Sequence, residues 1–254
     1  MISKRLMGSF DTKGPGSSKD NCLLPKDTVS EAVLRPADGL IMLGAIHKDE
    51  NGSGLLDRWL EAVEPRVITL EFSHYSMRFR KEMGPALKRQ IEEAYNRLKK
   101  NNLPCYDNTL SMVLTYVAMP YEFDRASRYA QEHGVPLHLV DMDFFSYIKL
   151  KEMEKFLSTD NLERFLTQKS EGRADQEKVL ARLFFDKGVK TGTYTEEMSM
   201  RDQYMSNKIA VLRKYHKGKK FLHITGWRHL EDPFDLYGPL KPVKVFIYDK
   251  TLCV

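Results

Sequence analysis

Two short apolar runs in this chain end in the same way. Leu40 to His47 reads Leu-Ile-Met-Leu-Gly-Ala-Ile-His, and Phe221 to His229 reads Phe-Leu-His-Ile-Thr-Gly-Trp-Arg-His. Each glycine lets the chain turn sharply, or pass close to a neighbour, as it leaves a strand. The histidine that follows then stands as a ligand or a proton carrier. Both turns are expected to face one pocket. A third run, Arg66-Val-Ile-Thr-Leu-Glu71-Phe72, is suited to burial except for its glutamate. A buried carboxylate needs a partner, which His47, His229, a metal ion or an arginine would supply. The plainer reading of Glu71 is a helix cap or a lysine pair. Arg201 lies on the apolar stripe of Met198, Met205, Ile209 and Leu212. A guanidinium pointing inward must meet an anionic ligand or a carboxylate, with Asp141 and Asp143 as structural candidates.

The elements that position these residues follow from hydrophobic period. Strands are expected at about 39–46, 66–72, 136–141, 221–225 and 243–248, the last as an edge. Helices are expected at about 55–63, 78–100, 109–118 and 121–133, with Pro65, Pro120 and the Gly134–Pro136 pair as punctuation. Residues 144–190 read as a helical insertion, with a capping signal at Ser158-Thr-Asp160. Thr193-Tyr-Thr-Glu196 has the form of a capping box before a helix that runs to about His216. Strands alternating with helices predict an α/β fold, a central and mostly parallel sheet flanked by helices. Residues 1–38 form a loop-rich segment, and 39–254 a single domain carrying the insertion. In such sheets a ligand crevice lies outside the strands' carboxyl ends. His47, Glu71, Asp141 and His229 each fall at or just past such an end, which gives them a common address. The other histidines have plainer explanations. His138 and His223 lie inside strands as core residues, and His133 and His216 lie near helix ends, where the dipole favours them. His74 is a spare ligand candidate.

The totals restrict the function classes. The chain has 254 residues, 42% of them hydrophobic and 30% charged, with a formal net charge of +5. That excess permits an anionic partner without requiring one. Cys22, Cys105 and Cys253 form no CxxC pair, so a reducing, cytoplasmic setting is expected. No signal peptide, membrane anchor or membrane association is expected. The basic clusters at 78–81, 88–89, 99–100 and 213–220 read as solvated helix faces and ends, and no nucleic-acid motif accompanies them. Gly52-Ser-Gly54 lacks the third glycine of a dinucleotide fingerprint and comes too late after its strand.

Taken in order, Gly44-Ala-Ile-His47, Ile68-Thr-Leu-Glu71, Leu139-Val-Asp-Met-Asp143, Arg201-Asp-Gln-Tyr-Met205 and Gly226-Trp-Arg-His229 resemble the TraB/PrgY/GumN family. The TIKI metalloproteases are relatives of that family, and haem-binding ChaN and the erythromycin esterases more distant ones. The resemblance implies an α/β core with a helical insertion and a site built from His47, Glu71 and His229. The chain departs from the pattern at Trp227 and Arg228, where the family often has small residues, and at Lys48-Asp49. It also lacks the Gly-Glu-x-x-His of the esterases, and nothing in it points to haem. A metal-dependent hydrolase or peptidase is therefore expected, with a peptide or small-molecule substrate. His47, Glu71 and His229 would hold a divalent ion such as Mn, Co or Zn with an open position. The ion would activate water, Arg201 would steady the oxyanion, and Asp141 would orient a histidine or Arg201. The alternative is a metal-free hydrolase or a ligand-binding protein using the same pocket, with His47 as general base and Glu71 setting its tautomer.

Overall fold

The computed structural model describes residues 39–157, 159–169 and 173–249. The N-terminal segment to residue 38, Ser158 of the expected capping signal, Cys22 and Cys253 lie outside what is described. The strands are β1 (Leu40–Ala45), β2 (Val67–Leu70), β3 (Leu137–Leu139), β4 (Phe221–Gly226) and β5 (Val243–Phe246). The helices are α1 (Gly52–Val63), α2 (His74–Glu82), α3 (Gly84–Lys100), α4 (Asp107–Val117), α5 (Tyr121–His133), α6 (Asp143–Phe156), α7 (Thr159–Leu166), α8 (Arg173–Lys187) and α9 (Glu196–Tyr215). The sheet has five strands in the order β3-β2-β4-β1-β5, and every pairing is parallel. The fold is thus α/β, with β5 on an edge.

Strand alternation divides the core. Ile41 and Leu43 of β1, Ile68 and Leu70 of β2, and Leu222 and Ile224 of β4 pack with Leu56, Trp59 and Leu60 of α1 and Ala126 and Tyr129 of α5. The intervening residues Leu40, Met42, Val67 and Phe221 pack with Met205 and Ile209 of α9 and with Tyr237. Both faces of the sheet are covered, which is why its strands read as near-continuous apolar runs. The indole N–H of Trp59 donates to the Ile247 carbonyl at 3.0 Å and ties α1 to the end of β5.

A separate helical cluster is built from Phe79, Leu87, Ile91, Leu98, Val113, Val117, Leu150, Leu162 and Leu166. It draws on α2, α3 and α4 as well as on α6 and α7, so the helical cap takes in more of the chain than residues 144–190. The helix expected over 78–100 is two helices that break at Met83. Pro85 stands in the first turn of the second, and a Cβ on Gly84 would lie 2.8 Å from the Val117 carbonyl oxygen. The N-cap of α9 is Thr195, whose hydroxyl accepts from the Met198 amide, and not Thr193, whose hydroxyl meets Arg228 instead. No helix among the described residues is long and apolar enough to cross a membrane.

Candidate functional site

The carboxyl ends of β1, β2 and β4 meet at one point. His47 lies two residues past β1, Glu71 directly past β2, and Thr225 and Gly226 close β4 between them. Gly226 is where the two Gly-x-x-His motifs touch. A Cβ placed on it would lie 2.7 Å from Nε2 of His47 and 3.5 Å from Oε2 of Glu71. Gly44, in the other motif, would meet the Cα of Trp227 at 2.9 Å. Each glycine is therefore explained by close approach of the opposite motif, the second of the two roles a strand-end glycine can play.

Glu71 is saturated with donors. Its Oε2 accepts from the Thr225 hydroxyl at 2.6 Å and the Gly226 amide at 2.7 Å. Its Oε1 accepts from Nη2 of Arg201 at 2.5 Å and from Nε2 of His229 at 3.0 Å. Two carboxylate oxygens offer about four lone-pair directions, and all are used. Burial raises the glutamate's pKa, but His229 and Arg201 overcome it and hold the carboxyl well below the usual range. Arg201 also grips Asp141 with two arms, Nε to Oδ1 at 3.0 Å and Nη2 to Oδ2 at 2.8 Å. Its pKa is raised, since Glu71 and Asp141 outweigh burial. Asp143 does not take part; its Oδ1 accepts from the Tyr75 amide at 2.8 Å.

The two histidines occupy different environments. His229 is 4% exposed and lies in a 3-10 turn behind Glu71. Its Nδ1 donates to Oδ1 of Asp202 at 2.6 Å, and Asp202 is held in turn by the hydroxyls of Tyr237 at 2.9 Å and Tyr194 at 2.5 Å. Burial lowers the pKa of His229, but the charge of Glu71 and the Asp202 bond carry it up to about 9. It is an imidazolium clamped between two carboxylates. His47 faces outward. Its Nδ1 donates to Oε1 of Glu122 at 2.7 Å, and its side chain keeps 53% of its surface open. Partial withdrawal from water lowers its pKa, but the bond to Glu122 and the charges of Glu122 and Glu71 raise it above the ordinary value. Oε2 of Glu122 is buried with no partner.

A cavity of about 610 Å³ opens beside this point, lined by His47, Glu71, Glu122, Asp141 and Arg201 together with Phe72, Met119, Leu150 and Met153. His47, Glu71, Asp141 and Arg201 are thus brought to one address, whereas His229 supports Glu71 from behind and does not line the cavity. His74 is exposed. His138 and His216 pair with each other, Nε2 to Nε2 at 3.1 Å. His223 is a core residue, as a strand histidine should be. Its Nδ1 bonds the Thr69 hydroxyl at 3.1 Å, its Nε2 has no partner, and burial pulls its pKa down to about 4.

The residues proposed as a metal set do not suit an ion as they are placed. Carboxylates on both Nδ1 atoms are a feature metal-ligating histidines share. Here, however, the Nε2 of His229 is a proton donor to Glu71, and Glu71 has spent its lone pairs on protein donors. Among the described residues no three His, Cys, Asp or Glu side chains are grouped to hold a metal ion.

Glu122, Asp202, Thr225 and Tyr237 were not identified from the sequence. Glu122 and Asp202 carry a readable signal. Glu122 heads the stripe of Ala126, Tyr129 and Ala130, and Asp202 heads that of Met205, Ser206 and Ile209, all of them buried. A carboxylate at the head of a buried helical stripe is as conspicuous as one at a strand's end. No family model, curated protein or solved structure matches the chain.

Proposed function

We propose that this chain is a hydrolase of peptide or similar acyl bonds in which His47 moves the proton. The observation that carries this reading is the His47–Glu122 pair opening onto the cavity. Glu122 fixes the proton on Nδ1 and leaves Nε2 with no protein partner among the described residues. In the neutral ring that nitrogen takes a proton from an attacking water and then returns it to the leaving group. Arg201, held rigid by Glu71 and Asp141, lines the same cavity, and its positive charge offsets charge developing on the attacked carbonyl. Glu71 serves as the fixed anchor of Arg201 and His229, not as a base.

The test is hydrolysis of 4-nitrophenyl octanoate by the purified chain, with and without a chelator. His47→Ala is expected to lower the rate by about 10²–10⁴-fold, and Glu122→Gln by a smaller factor, with chelator having no effect. A wild-type rate equal to that of His47→Ala sinks the proposal. The closed ion-pair network around Glu71 favours a second reading, a ligand-binding protein, which predicts binding in the cavity without turnover.

A further inference from the structure

The cations on this cavity are not alike. Arg201 is matched by Glu71 and Asp141, and Lys149 by Glu197 at 2.5 Å. Arg80 of α2 is not matched. Its Nε donates to the Ala118 carbonyl at 3.1 Å, its Nη1 to the Ser76 carbonyl at 3.4 Å, and its guanidinium lies 5.4 Å from the centre of the Phe72 ring. Among the described residues no carboxylate lies within ion-pair distance of it. All three contacts are neutral, and burial holds its pKa below the ordinary arginine value. A half-buried guanidinium with no counter-charge of its own is free to take one from a ligand. Arg80 lines the same cavity as His47 and Arg201, next to Phe72 and Met119.

A second cavity adjoins the first. Its volume is about 670 Å³, Tyr116, Lys149 and Met153 line both, and it lies between α4, α6 and α7, beside Met112, Phe156 and Phe165. We infer that Arg80 is the anchor for a carboxylate on an amphiphilic substrate, whose apolar chain lies against the apolar wall of Phe72, Met119, Leu150 and Met153, toward the adjoining cavity. A planar carboxylate matches the guanidinium fork. A dianionic phosphate would be held less well, because Glu71, Glu122 and Asp141 line the same space. The inference rests on reading this cavity as the substrate site and names the chemistry that site selects.

Calorimetric binding of octanoate and of its neutral isostere octanamide, at low ionic strength, tests it without any turnover. The wild type is expected to bind octanoate roughly tenfold or more tightly than octanamide. Arg80→Leu and Arg80→Gln, each checked for an unchanged unfolding transition, should lose that preference while still binding octanamide. The comparison involves no turnover, so failure of the hydrolase reading, an absent esterase rate, is told apart from failure of this one. Equal binding of the two ligands by the wild type, no binding of octanoate, or a preference that survives in both Arg80 variants overturns the inference.

Discussion

Arg201 is the one cation between Glu71 and Asp141, and its side chain is 14% exposed. Replacing it by methionine keeps the bulk of the stem and leaves two carboxylates facing each other. Arg201→Met is expected to cost about 3–5 kcal/mol in urea unfolding, and adding Glu71→Gln should recover part of that loss in a double-mutant cycle. The meeting of Arg201, Asp141 and Glu71 was legible in the sequence because each is a charge set into an apolar pattern, which burial forces into partnership. That His229 would be clamped between Glu71 and Asp202 was not legible. That outcome depends on Asp202, which is masked by the arginine beside it, and on the Thr225 hydroxyl and Gly226 amide filling the far oxygen of Glu71. Those last two contacts are set by how β4 aligns with β2, a register that no single stretch of sequence contains.

At the scale of elements, the two glycines separate function from stability. Gly226 has φ −60° and ψ 137°, which alanine also adopts, so at this position only space matters. A Cβ there meets the far end of the half-open His47 ring, which can swing away. Gly226→Ala should therefore leave the melting temperature nearly unchanged while lowering hydrolysis of the octanoate ester at least tenfold. At Gly44 the obstacle is the backbone of Trp227, which cannot yield, so Gly44→Ala should cost about 1–3 kcal/mol in the same unfolding measurement. The strands were legible from their apolar runs, and α5 from its stop signal. The break between α2 and α3 was not, because Phe79 before it and Leu87 after it both face the same helical cluster. Hydrophobic period passes straight through a break when both sides bury the same face.

For the molecule as a whole, the buried histidines predict a stability optimum. His229 has a folded pKa of about 9 against 6.5 unfolded, so its contribution is complete below pH 6.5 and is lost as pH rises through 9. His223 is depressed to about 4, so its neutral form stabilises fully above pH 6.5, and that contribution is lost as pH falls toward 4. Melting temperature measured from pH 4 to 10 should peak near neutrality and fall on both sides, and His229→Gln should flatten the alkaline side. The central place of β4 has another consequence, one for the timing of synthesis. β4 is fourth in the chain, yet it lies between β1 and β2 and supplies Thr225 and Gly226 to Glu71. While residues 40–220 emerge from the ribosome, His47 after β1 and Glu71 after β2 have no strand to bring them together. The parallel pairings that join them are long-range and slow to form. A nascent chain that ends before Phe221 is thus expected to be inert toward whatever its cavity takes, because the strand that joins β1 to β2 is not yet made.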